Sequence, residues 1–77
     1  MRYKPLKNRF LTINGEEVLD AGDGLILIPL DNKKTFVHWL NEKGKLVATY
    51  TLTYPTLIVD KVKLISTENA RIHIVEP

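Results

Sequence analysis

From Leu46 to Tyr54 the even positions are Leu46, Ala48, Tyr50, Leu52 and Tyr54, and the odd ones are Val47, Thr49, Thr51 and Thr53. A β-strand sends these two sets to opposite faces, whereas a helix needs a repeat near 3.6. Most of the chain carries the same period of two. Phe10 to Ile13, Asn14-Gly15 and Glu16 to Leu19 predict a hairpin, because Asn and Gly tolerate the positive φ of a type I′ turn. Ile13 would then face Glu16, and Leu11 would face Val18. Ala21-Gly22-Asp23-Gly24 predicts a second turn.

Leu25-Ile26-Leu27-Ile28 is apolar at every position, which suits a short strand covered on both faces at the centre of the core, limited by Pro29. Leu30 to Lys33 predicts a turn into a strand from Thr35 to Leu40. Asn41-Glu42-Lys43-Gly44 closes the next hairpin into the alternating segment, and Pro55 breaks that ladder. Thr56 to Ile65 is rich in β-branched residues and predicts a long or bent strand; the rival is an amphipathic helix through Leu57, Ile58, Val62 and Ile65. Thr67 to Ala70 makes the last turn, and Ile72 and Ile74 alternate with Arg71 and His73 in a terminal strand.

The expected fold is therefore all-β: one small antiparallel barrel or compact sandwich of about six or seven short strands, spanning residues 1–77 behind a basic N-terminal arm, residues 1–8. The expected core is Leu11, Leu25, Leu27, Phe36, Leu46, Tyr50, Leu52, Val62 and Ile72. A 77-residue domain buries only about 60% of the surface its unfolded chain exposes, so little apolar surface can be left idle. Self-association as a homodimer, through an edge strand or through the apolar surface that so small a body leaves exposed, is the expected remedy.

Cysteine is absent, so neither a disulfide framework nor a thiolate metal site is available, and a reducing interior is expected. No signal-peptide run opens the sequence and no segment approaches the roughly 20 apolar residues of a membrane span, so the expected location is cytoplasmic. The net charge is only +2, but it is unevenly spread. Arg2, Lys4, Lys7 and Arg9 make the start basic; Glu16, Glu17, Asp20, Asp23 and Asp31 then carry the chain to Asn32 without a base; Lys33, Lys34, Lys43 and Lys45 restore the positive sign. Such asymmetry can make two patches of opposite sign on one small body.

Catalytic chemistry finds no foothold in this pattern. His38 and His73 are distant in sequence, and neither has a second ligand at strand spacing, whereas a metal site needs three or four. Ser66, the only serine, has no glycine elbow. A strand sends Glu16 and Glu17 to opposite faces, so they cannot share a proton. Asp20 and Asp23 flank a tight turn far shorter than a calcium-binding loop.

No enzyme activity, cofactor or metal is expected. The sequence reads instead as a binding module acting through a protein partner, a form common among phage or mobile-element proteins that inhibit a host component. Its candidate binding residues are Arg2, Tyr3, Lys4, Lys7 and Arg9 in one group, and Lys33, Lys34, Trp39, Lys43 and Lys45 in another. The alternative is single-stranded nucleic acid, because small β-barrels combine basic grooves with aromatic platforms of this composition. A third reading is capture of a small anionic ligand between subunits by lysine and arginine.

Overall fold

The computed structural model describes residues 7–76, so the candidate residues Arg2, Tyr3 and Lys4 lie outside the described residues. Four strands, β1 (Lys7–Pro29), β2 (Phe36–Leu40), β3 (Leu46–Thr51) and β4 (Thr56–Glu76), form one antiparallel sheet in the order β1-β4-β2-β3. The protein is all-β, as its period of two requires. The sheet is open, with β1 and β3 as its edges, and it has four strands rather than six or seven because three expected turns are bends inside continuous strands. Among the described residues no helix is long and apolar enough to cross a membrane.

Length alone shows that the long strands must bend. A straight strand of 23 residues would reach roughly 75 Å, yet the longest dimension of the molecule is 42 Å. The first bend opposes Asn14 to residues 67–69: the ladder runs Ile13 to Ala70, then resumes at Gly15 with Ser66. Gly15 has φ 108° and Asn69 φ 55°. At the second bend Gly22 (φ 54°) stands opposite Asp60 (φ 63°). Each bend thus has a positive-φ residue on both strands, supplied by the residue types that enter this region at least cost. Bulges of this kind turn the strand and sharpen its twist.

The expected hairpin at Asn14-Gly15 is therefore corrected. Its residues do adopt special backbone geometry, but Leu11 pairs with Ile72 and Glu16 with Ile65, not with Val18 and Ile13. Likewise Ala21 to Gly24 and Thr67 to Ala70 bend the chain without reversing it.

Bending brings the last part of β1 between two stretches of β4. Leu25 to Leu27 pair with Ile58 to Thr56, and Ile26 to Pro29 pair with Val75 to Ile72. Leu27 sits in both ladders, facing Thr56 on one side and Ile74 on the other, and is wholly buried. The four-residue apolar run is at the core, but only its odd positions point inward. Ile26 and Ile28 are half-buried on the outer face.

Around Leu27 the core gathers Ile13, Leu19, Leu25, Val37, Leu52, Ile58, Val62, Leu64, Ile72 and Ile74, with Leu11, Trp39 and Tyr50 packed against it. Two expected core residues are outside it. Phe36 is 41% exposed because it shares a face with His38, and the sheet turns Val37 inward instead. Leu46 is 56% exposed because the register slips between Trp39–Ala48 and Leu40–Leu46, which moves Leu46 off the face of Ala48 and Tyr50.

The connection from β1 to β2 is tied to β4 by side chains. Glu68 Oε2 accepts from the Lys34 N–H (2.7 Å), and Asp31 accepts from the N–H groups of Arg71 (3.1 Å) and Lys33 (3.2 Å), with the Arg71 guanidinium 3.7 Å away. Burial works against the charge on Asp31, but the backbone donors of Arg71 and Lys33 and the positive charges of both residues outweigh it and hold the carboxyl below its ordinary value. A depressed carboxyl pKa stabilises the fold above the unfolded value near 3.8 and ceases to do so as the pH falls through the folded value. Asp31→Asn is accordingly expected to flatten the loss of thermal stability below about pH 4 and to leave a smaller difference between pH 4 and pH 2.5 than in the parent protein. Parallel melting curves over that range would contradict the assignment.

Candidate functional site

β3 is an edge strand with little cover: from Leu46 to Thr49 every residue is exposed, Tyr50 is half-buried against the core and Thr51 is exposed. The direction of its backbone groups follows from one bond. Leu52 N–H donates to the Thr35 carbonyl at 2.8 Å, so residues 35 and 52 form a hydrogen-bonded pair, and such pairs alternate along an antiparallel ladder. Tyr50 and Ala48 therefore bond inward to Val37 and Trp39, while Thr49 and Thr51 aim N–H and C=O at the open edge. The threonine alternation that reads as a solvated face in the sequence also marks the free hydrogen-bonding positions.

Beside this edge lies a cleft of about 650 Å³, lined by Trp39 and Leu40 of β2, the hairpin residues Asn41 to Lys43, Val47 of β3 and Val59 to Lys61 of β4. Its walls are fixed by local chemistry. Asn41 Oδ1 accepts from the N–H groups of Lys43 (2.9 Å) and Lys45 (3.0 Å), while the Gly44 N–H donates to the Asn41 carbonyl (2.9 Å), so the hairpin tip is held by its first residue. The opposite wall carries the second β4 bend, at Asp60.

Trp39 and Tyr50 meet edge to face, with centroids 6.2 Å apart and planes at 86°. Trp39 Nε1 and the Tyr50 hydroxyl are both buried without a hydrogen-bond partner. Burial, assisted by neighbouring Tyr54, raises the Tyr50 pKa above its ordinary value, so the hydroxyl remains a donor at neutral pH.

The sequence-predicted binding residues do not form one patch. Lys43 lies on the rim of the Trp39 cleft, with Lys45 at the start of the strand that borders it; Lys33 and Lys34 lie at the far end of β3, around a smaller recess of about 250 Å³ with Thr51 to Thr53. Lys7 and Arg9 are exposed on β1, separated from that region by β4 and β2. Trp39 is half-buried and packs against the core, so it does not stand out as a stacking platform. Sequence reasoning missed Val47, Val59, Asp60 and Lys61, since nothing in a β-branched segment announces a bend that builds a cleft wall.

His73 is stacked on Phe10 (4.5 Å) and hydrogen-bonded to Asn8 Oδ1 (2.8 Å). Ser66 is buried, and its hydroxyl accepts from the Glu68 N–H. Among the described residues no group of three or more His, Asp or Glu could hold a metal ion. A scan against protein-family models and searches of curated proteins and of solved structures find no match to this chain.

Proposed function

We propose that this protein is a non-catalytic binding module whose partner is another protein, and that the partner adds an extended segment to the open edge of β3. The observation that carries this reading is an open edge strand, exposed at every residue but Tyr50, beside a preformed cleft. Main-chain pairing at Thr49 and Thr51 supplies affinity in such strand addition, and pockets for alternate side chains supply specificity. Here the cleft beside Trp39 takes one apolar side chain, with Val47 and Val59 as its greasy walls and Lys43, Asp60 and Lys61 at its rim. Inhibition of a host component is one use of such a module.

The test uses proline, which removes an edge donor and leaves inward pairing intact because the Thr49 N–H points outward. The parent protein, immobilised, is expected to retain a protein from lysate after nuclease treatment, and Thr49→Pro is expected to lose it while its far-ultraviolet circular dichroism is unchanged. Trp39→Ala should weaken retention mainly through faster dissociation. Lys43 beside Trp39 supports nucleic acid as the second reading. Retention abolished by nuclease, or oligonucleotide affinity falling by roughly 0.7 log units per log unit of salt for each phosphate contact, would decide for it.

A further inference from the structure

The outer edge of β1 is the second open edge of the sheet, and its charge order is its distinguishing property. From Arg9 to Asp20 the strand passes from basic to acidic, with Glu16, Glu17 and Asp20 at the far end. A strand of this kind is complementary to itself read backwards. We infer that two copies of the chain pair antiparallel along this edge, about a two-fold axis at Ile13, with Arg9 of each copy against Glu17 of the other. The inference is independent of the partner surface at β3.

Three observations fix that register. The first is backbone direction: the Leu30 N–H donates to the Arg71 carbonyl at 3.0 Å, which points the backbone groups of Arg71 and His73 toward the last part of β1 and away from its first part, and therefore makes Leu11–Ile72 and Ile13–Ala70 the hydrogen-bonded pairs. Carried through β2, the bond between Leu52 and Thr35 makes Glu17–Leu64 and Leu19–Val62 hydrogen-bonded pairs. Phe10, Thr12, Glu16 and Val18 consequently direct their backbone groups to the open edge. An axis at Ile13 matches Phe10 with Glu16, which lets those groups bond across copies.

Facing is the second observation. Arg9 pairs with Ile74 and Glu17 with Leu64, both inward-facing core residues, so Arg9 and Glu17 occupy the same side of the sheet. They would form a non-hydrogen-bonded pair, the type that brings side chains closest. The third is availability. Glu16 is engaged by Lys63 at 3.7 Å and Arg71 by Asp31, whereas neither Arg9 nor Glu17 has an ion-pair partner among the described residues. β3 offers no comparable code, since no charge lies between Leu46 and Thr51. At the first bend Asn14 stands against residues 67–69, so the two extra residues belong to β4, and β1 keeps its alternation of inward and outward backbone groups through the turn at Gly15.

Sedimentation velocity on the full chain at low salt is expected to give twice the 8.8 kDa chain mass at micromolar concentration. Glu17→Arg should raise the dimer dissociation constant about tenfold or more, because it sets two arginines against each other twice in the symmetric interface. The exchange Arg9→Glu with Glu17→Arg should restore dimerisation to within a few-fold. Both positions are exposed, and unchanged circular dichroism would confirm that the variants remain folded. A monomer at high micromolar concentration overturns the inference, as does a dimer indifferent to Glu17→Arg, which would place the contact at β3 or elsewhere. Failure of the exchanged pair to recover also overturns it.

Discussion

Leu27→Ala is expected to destabilise the protein by about 2–5 kcal/mol, the range for deleting a buried leucine side chain. Leu27 is wholly enclosed and lies where the bent ribbon meets itself, so the void would open between two ladders anchored on either side, at Thr56 and at Ile74. Neither ladder can collapse inward without breaking pairs with the other, which places the cost toward the upper end. Single domains hold roughly 0.05–0.15 kcal/mol of stability per residue, so for a chain of this length the loss is a large share of the whole. Urea denaturation should show a lower midpoint with an unchanged slope. A shift within experimental error would mean that the centre of the core is elsewhere.

The second large effect is expected at Gly15, where the chain makes its first bend. A Cβ at this position would meet no atom within 4 Å, yet φ is 108°. Gly15→Val thus isolates backbone strain from steric collision, and a cost of about 1–3 kcal/mol is expected, since a β-branched residue resists this region strongly. Gly44→Ala at the exposed hairpin tip, also at positive φ with open space around it, makes the matched control for a turn that closes only a short ladder. If Gly15→Val had no measurable cost, the bend would not be under conformational strain.

The two sites also show what was readable in the sequence. Leu27 was legible because a run of four apolar residues leaves a short strand no solvated choice of phase. Gly15 was legible as a place of positive φ but not in its role, because a two-residue reversal and a bulge opposite a distant strand both call for a glycine there. Only the partner distinguishes them, and the partner lies more than fifty residues away. Leu46 fails for a similar reason: alternation fixes which residues share a face within one strand, but a one-residue slip beside Trp39–Ala48 changes which face that is, whereas Phe36 fails because alternation alone does not say whether it or Val37 faces inward. In the candidate site, Trp39 and Lys43 could be picked out individually. The cleft that joins them depends on a bend at Asp60, and no local pattern encodes it.

The position of β4 in the sheet has a kinetic consequence. β2 and β3 join through a five-residue connection and can pair as soon as both exist, but among the described residues β1 has β4 as its only neighbour, and β4 also forms the inner flank of β2. Until β4 is present, then, the chain can hold only this one hairpin beside a long unpaired segment rich in Leu, Ile and Val. Closing it requires contact between residues as far apart as Lys7 and Glu76, a search whose entropy is lost before any pairing compensates. Because β1 pairs only with β4, the sheet can close only once β4 is present, and until then the apolar positions of β1 have no strand to cover them.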